Sequence, residues 1–341
     1  MKRKQYTPVA LIFVLALAVW LFYEPSLKYH KINGETQGTT YNITYEDREY
    51  RDLKPKIEQL LHRFDLSLSS YIDESVITQV NNNVSNVKLD RYFKTVFNKS
   101  EEIYHITDGA FDITVAPFVN AWGFGSEAGI TVDSAAIDSI SKYVGMSNVE
   151  LIGGKLNKQN PNIKIDVNAI AQGYSVDVVA EFLERKGVTN YLVEIGGELL
   201  AKGVNKKGKT WRIGIDKPID NNFESGKHLQ AIVEVAGKGL ATSGNYRKFY
   251  EKDGVKYVHS INPKTGYPVQ SRLLSTTVLA DDCMTADAYA TAFMVMGLEK
   301  TIMFLSQHKE LDAYLIYGDE NGGYRTFMTP GLKDKIVQLK D

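Results

Sequence analysis

Ala280-Asp-Asp-Cys-Met-Thr-Ala-Asp-Ala-Tyr-Ala-Thr-Ala-Phe-Met-Val-Met-Gly297 is the stretch around which the chain can be arranged. Thr285 is placed to cap a helix whose apolar body runs to Met296, and Gly297 to stop it in a left-handed conformation. Such a helix projects Asp287 and Thr291, four residues apart, from one face of its first turns. A carboxylate and a hydroxyl beside the positive end of a helix suit a small divalent cation and the phosphates that travel with one. The same pair would also serve as a dipole complement and a packing residue, so other stretches must decide between the two readings.

Working outward, composition sets the bounds. The 341 residues are 43% hydrophobic and 24% charged with a formal net charge of -1, enough chain for one large domain or two modest ones with a substantial core. No basic excess points to nucleic acid. The single cysteine, Cys283, excludes an intramolecular disulfide and a cysteine-rich metal site, and lies far from the N-terminus, where a lipoprotein signal would need one. Residues 1–24 have the pattern of a signal segment or membrane anchor: Lys2, Arg3 and Lys4 precede an apolar run over 9–23. Trp20, Leu21, Phe22 and Tyr23 leave no small-residue cleavage site before Glu24. An uncleaved anchor is therefore expected, with the remaining chain on the exported, periplasmic face of the cytoplasmic membrane.

After a polar spacer over 25–33, a glycine-bearing turn leads into a strand alternating from Thr40 to Tyr45. Ile57, Leu60, Leu61 and Phe64 fall on one helical face. A second amphipathic helix is predicted over 89–107, with Phe93, Val96, Phe97, Ile103 and Tyr104 inward and Gly109 closing it. Residues 109–117, followed by Trp122-Gly-Phe-Gly125, read as a shaped loop around Asp112. A short helix over 133–144 precedes a strand over 162–166, a helix ending near Lys186 and a strand over 191–195, the spacing of a strand–helix–strand unit. Hairpin-like alternation from 198 to 235 follows, with Thr242-Ser-Gly-Asn245 interrupting the next strand. Then come a hairpin around Asp253-Gly254, a strand over 257–261, the turn 262–266, a helix over 299–308, and a hairpin of 313–317 with 324–328. No repeat or linker divides the chain, so one α+β domain over 34–341 is expected, with mixed or antiparallel sheets and packed helices.

Gly203-Val-Asn-Lys-Lys-Gly-Lys-Thr210 fits the phosphate-loop pattern G-x-x-x-x-G-K-[ST]. That loop requires a following helix, whereas Trp211, Ile213 and Ile215 alternate with polar residues as a strand does, so a lysine-rich hairpin turn is expected. His259, beside a Pro-Gly turn, is the histidine best placed for general-base work.

Nine stretches in order resemble one family. They are Gly38-Thr-Thr40, Ser69-Ser-Tyr71, Gly109-Ala-Phe-Asp-Ile-Thr-Val115, Trp122-Gly-Phe-Gly125, Asp166-Val-Asn-Ala-Ile-Ala-Gln-Gly-Tyr-Ser-Val-Asp177, Glu194-Ile-Gly-Gly-Glu198, Thr242-Ser-Gly-Asn-Tyr-Arg247, His259-Ser-Ile-Asn-Pro-Lys-Thr-Gly-Tyr-Pro268 and Ala286-Asp-Ala-Tyr-Ala-Thr291. Together they resemble the ApbE family of FAD:protein FMN transferases. The resemblance implies that FAD is cleaved at its pyrophosphate, that FMN is joined by a phosphoester to a threonine or serine of an acceptor protein, and that AMP leaves. It implies Mg2+ held by Asp287 and Thr291 with backbone oxygens of Ala169 and Ala290, beside which His259 would take the proton from the acceptor hydroxyl as the catalytic base. Flavin contacts map onto Gln37, Tyr71, Ala110, Phe111, Asp112, Asp166, Gln172 and Ile261. Gln37 stands where a methionine is common, and Gln172 where a lysine or glutamate is usual. Arg247 is a candidate phosphate brace. The implied acceptors are subunits of membrane electron-transport complexes, such as sodium-pumping quinone reductases, or exported flavoprotein reductases. Two other activities fit the same residues: a Mg2+-dependent FAD pyrophosphatase giving FMN and AMP, and a non-catalytic exported FAD-binding protein.

Overall fold

The computed structural model describes residues 28–125, 132–219, 226–245, 249–252, 255–319 and 323–339. The apolar run at 9–23, Arg247 and the Asp253-Gly254 turn lie outside the described residues. Among those described, no helix is long and apolar enough to cross a membrane.

A hairpin of β1 (Tyr29–Thr36) and β2 (Thr39–Glu46) opens the fold, turned by Gln37 and Gly38 at φ 52° and 70°, the mirror-image turn that matches strand twist. β1 thus takes up residues 29–33, read from sequence as spacer. It is an edge strand with no fully buried residue, so its period-2 signal is faint. α1 (Lys54–Leu68), α2 (Val76–Asn81) and α3 (Arg91–Ile106) follow, α1 burying the four expected residues and α3 capped by Asp90. The expected loop over 109–125 contains α4 (Ala116–Ala121), with Pro117 in its first turn, where a missing N–H is harmless. α5 (Ser134–Ser141) and the hairpin β3 (Val149–Ile152)–β4 (Lys155–Lys158) come next.

Residues 162–166 pair with no strand. The Ile165 N–H donates to the Asn81 side chain (2.7 Å) and the Asp166 N–H to the Ile113 carbonyl (2.7 Å). The expected strand–helix–strand unit is therefore absent, and α6 (Ala171–Arg185) leads into β5 (Tyr191–Ile195), antiparallel to β2. β6 (Glu198–Lys202) does not pair with β7 (Trp211–Asp216). β7 and β8 (Leu229–Val235) leave for a second sheet, and β9 (Lys238–Gly244) returns to lie beside β6. The lysine-rich segment 203–210 is therefore a crossover between sheets, not a hairpin turn, and no helix follows it. Thr242 and Ser243 lie within β9 rather than interrupting it. After the hairpin β10 (Phe249–Lys252)–β11 (Val255–Val258), His259 sits just past a strand end instead of inside one. β12 (Leu273–Ala280), α7 (Cys283–Met296), α8 (Leu298–Gln307), β13 (Asp312–Gly318), β14 (Tyr324–Met328) and β15 (Ile336–Gln338) complete the chain.

Eight strands form one sheet in the order β1-β2-β5-β6-β9-β12-β13-β14, and every pairing in it is antiparallel. Alternation sends successive side chains to opposite layers. Ala241, Val278, Ala280, Ala313 and Leu315 join the helices α1, α3, α6 and α7 in the main core. Leu240, Leu279, Tyr314 and Ile316 meet Trp211, Val233 and Val235 of the small β15-β8-β7 sheet on the other face. A satellite cluster of Phe118, Ala121, Ile137, Ile140 and Ile261 lies under α4 and α5.

α7 is sandwiched between α6 and the sheet, which explains why it is apolar almost all round instead of amphipathic. Its cap differs from the expected one. Asp282 is extended and accepts the Thr285 N–H (2.7 Å), so Thr285 lies inside the first turn. Gly297 does stop the helix, at φ 77° and ψ 175°, a glycine-only conformation but not the left-handed helical one.

Candidate active site

A cavity of about 350 Å3 opens where the segment before α4, the N-terminus of α6, the ends of β6 and β9, and α7 converge. Ala110, Phe111 and Asp112 line one side, and Asp166, Ala169 and Gln172 another. His259 and Ile261 face it from beyond β11, while Asp287 and Thr291 approach from α7. These groups are spread along the sequence from residue 110 to residue 291, and the fold brings them to one space.

Each is held by local chemistry. Asp112 accepts from the Thr114 N–H (2.7 Å), the Thr114 hydroxyl (2.6 Å) and the Met146 N–H (3.2 Å). It is buried, and burial pushes its carboxyl upward from the ordinary value against these bonds. Asp166 accepts the Asn168 N–H (2.8 Å), a tight turn just ahead of Ala169 and the start of α6. Gly173 lets α6 approach α7 closely: a Cβ there would lie 2.4 Å from the Cys283 carbonyl and 2.8 Å from the Asp287 Cβ. The Gly173 N–H then donates to Asp287 Oδ2 (3.0 Å). Thr291 Oγ1 lies 3.2 Å from the Ser243 hydroxyl of β9.

Asp287 is buried, and desolvation lifts its carboxyl to about 7 against the single Gly173 bond. Glu198, at the start of β6, is pushed well up by burial and by the Asp287 charge, and accepts from the Gln172 amide. Neither carboxylate forms an ion pair among the described residues, so no protein cation offsets the cost of ionising them. That is the setting in which a bound cation relieves a desolvated carboxylate. Among the described residues no three His, Cys, Asp or Glu side chains converge in a metal-holding group, so a cation here would rely on carboxylate, hydroxyl and carbonyl oxygens, the set magnesium accepts.

Three expected site residues do not line this cavity. Ala290 is fully buried and its carbonyl accepts the Thr276 hydroxyl (2.8 Å). Gln37, at the tip of the first hairpin, accepts from the Ser175 hydroxyl (3.3 Å) behind Gln172. Tyr71 is 73% exposed on the turn after α1. Beside it, a smaller space lined by Ser70 shares Asp166 and Asn168 with the main cavity. Sequence reasoning gave no role to Glu198, Ser243, Asn168 or Phe124, which also line the cavity. For Glu198 the available signal was an acid directly after Gly196-Gly197 at a strand end.

Comparison with known proteins finds one family. The model of the ApbE family matches residues 37–315. FAD:protein FMN transferase of Vibrio cholerae is 36% identical over 307 residues, 88% of this chain and 90% of that protein. The protein of that description from Haemophilus influenzae is 34% identical over 328 residues, 92% of this chain and 93% of its own length. Among solved structures, the flavin transferase ApbE from Vibrio cholerae superposes with a TM-score of 0.82 at 35% identity, covering 91% of this chain and 99% of that one. The apo Pseudomonas stutzeri flavinyl transferase ApbE gives 0.80 at 31% identity, covering 89% and 95%.

Proposed function

The chain belongs to the ApbE family, and from that premise we infer that it is an FAD:protein FMN transferase. The acceptor hydroxyl oxygen attacks the FMN-side phosphorus of FAD, the P–O bond to the AMP phosphate breaks, and AMP leaves with that oxygen. Phosphoryl transfer of this kind depends on positioning and charge neutralisation more than on covalent help from the protein.

The finer assignments are our reading. Mg2+ would be held by Asp287, Thr291 and the Ala169 carbonyl, where its charge would offset that of the pyrophosphate. The observation that carries this assignment is a buried carboxylate with one hydrogen bond and no ion pair among the described residues, facing the same cavity as His259. His259 takes the proton from the acceptor hydroxyl. The Phe111 side and Ile261 offer apolar surface to the flavin, and the exposed Tyr71 ring, next to Ser70 of the adjoining space, is a further aromatic contact for it. Gln172 keeps its amide on Glu198 and the Ile195 carbonyl (3.0 Å), so here it shapes the wall and brings no charge. The acceptor is a threonine- or serine-bearing protein of a membrane electron-transport complex, reached on the exported side, with residues 1–24 as the anchor.

The test incubates purified protein with FAD, Mg2+ and the exported protein fraction of the host, and reads denaturation-resistant flavin fluorescence on a gel. Asp287→Ala is expected to lower the labelling rate about a hundredfold or more, as is His259→Ala. Labelling by Asp287→Ala at the parent rate would remove the metal assignment, and free FMN with no labelled protein would replace the transferase by a pyrophosphatase.

A further inference from the structure

α6 and α7 are joined by two reciprocal carboxylate–amide contacts. One is the bond from the Gly173 N–H to Asp287 already described. The other runs the opposite way: Asp177, one turn further along α6, accepts the Cys283 N–H at Oδ1 (2.8 Å) and the Met284 N–H at Oδ2 (2.8 Å). These are the first two residues of α7, whose amides have no partner within their own helix. Asp282 supplies the ordinary cap to Thr285, so the contact from Asp177 is an addition to the cap and not a substitute for it.

We propose that Asp177 is a positioning residue for the cation site: by gripping the first turn of α7 from α6, it sets the separation between the Ala169 turn and the face carrying Asp287 and Thr291. Ala169 lies two residues before α6, and Asp287 lies four residues after the start of α7. The two oxygen sources thus ride on separate helices, and their spacing depends on how those helices are packed and tied. Gly173 removes the side chain that would keep the helices apart, and Asp177 supplies the polar tie that holds them together. Asp177 is half-buried, with both oxygens spent on the amides of another element, and so fits the outer-shell partners that orient a metal ligand they do not touch.

The inference rests on the reading of a divalent-cation site given above, and its test reads cation binding, not transfer. Binding of Mn2+, as a magnesium surrogate, to the full-length protein is measured by calorimetry, beside FAD affinity by fluorescence. Asp177→Asn keeps the size but turns one acceptor into a donor facing an N–H. It is expected to weaken Mn2+ binding about tenfold, to change FAD affinity without metal less than twofold, and to recover the parent labelling rate at saturating Mg2+. Asp282→Ala removes a cap from the same helix end without crossing to α6. It is expected to lower Tm while leaving Mn2+ affinity within twofold. If Asp177→Asn does not accumulate folded, Asp177→Glu, which moves both oxygens outward by one methylene, is read in the same way. Equal losses in the Asp177 and Asp282 variants, or unchanged affinity in the former, would overturn the proposal. Parent protein that binds no Mn2+ would overturn it together with the cation assignment, while protein labelling by that same parent would leave the transferase reading standing.

Discussion

At the scale of single residues the cavity is governed by desolvation. Asp287 and Asp177 have folded-state carboxyls near 7 and 8 against an ordinary 3.8, both raised first of all by burial. Between about pH 4 and those values the folded protein keeps protons that the unfolded chain has lost, so stability falls as pH rises through that window. A cation that favours ionised Asp287 acts in the other sense. The Tm of the protein in a chelator is therefore expected to fall from pH 5.5 to 8, while the increment produced by Mg2+ grows over the same range. Thermal scans in paired buffers check this, and a larger Mg2+ increment at pH 5.5 than at 8 would exclude Asp287 as the responding group. Tyr71 makes the opposite case, since its ring is largely in solvent. Tyr71→Ala is expected to move stability by less than about 0.5 kcal/mol yet to raise the KM for FAD several-fold, the range of one lost aromatic contact. Asp287 and Thr291 were legible in sequence because helical spacing alone places them together. Glu198 was not, because its proximity to Asp287 depends on β6 lying beside β9 across an excursion of two strands.

At the scale of elements, legibility followed periodicity. α1 and α3 face water on one side, and their apolar spacing located them and their buried faces. α7 was found by its uniform apolarity and by Gly297, but its start was displaced because Asp282 and Thr285 are both good caps and only the backbone decides between them. The segment 162–166 alternates like a strand because Ile163 and Ile165 are buried, yet its amides go to Asn81 and Ile113 and leave no ladder. α4 leaves no helical signal in the sequence because six residues carry too short a pattern. The α6–α7 contact gives the prediction at this scale. Gly173→Ala would press a methyl into the Cys283 carbonyl, which belongs to a helix backbone and cannot swing aside. A loss of about 1–3 kcal/mol is expected, read as a lower urea midpoint, together with weaker cation binding. An unchanged midpoint would mean that the two helices are not in fixed contact.

At the scale of the whole molecule, the α+β class was within reach of the sequence, but β1, β3, β4, β12 and β15 left no readable signal there and the sheet order was not legible. Hairpin alternation over 198–235 suggests continuous neighbours, whereas β7 and β8 leave to cover the far face of the large sheet. The pairing of β6 with β9 depends on which residues face which layer, and that is settled only when Leu199 and Leu240 find Trp211 and Val235 beneath them. The same architecture locates where the chain can be cut. The large sheet starts at Tyr29, and β1 shelters the edge of β2 while carrying the Gln37–Gly38 turn to the region behind Gln172. A chain beginning at Lys28 keeps every described strand and is expected to match the full-length protein in Tm and Mn2+ affinity, while shifting from the membrane fraction to the soluble one if residues 1–24 are the anchor. A chain beginning at Thr39 lacks β1, exposes the β2 edge to pairing with other copies, and is expected to aggregate at concentrations where the longer truncation stays monomeric. Light scattering and fractionation distinguish the outcomes. A Thr39 chain as soluble and as stable as the Lys28 chain would show that the first hairpin contributes neither to the sheet nor to the site it borders.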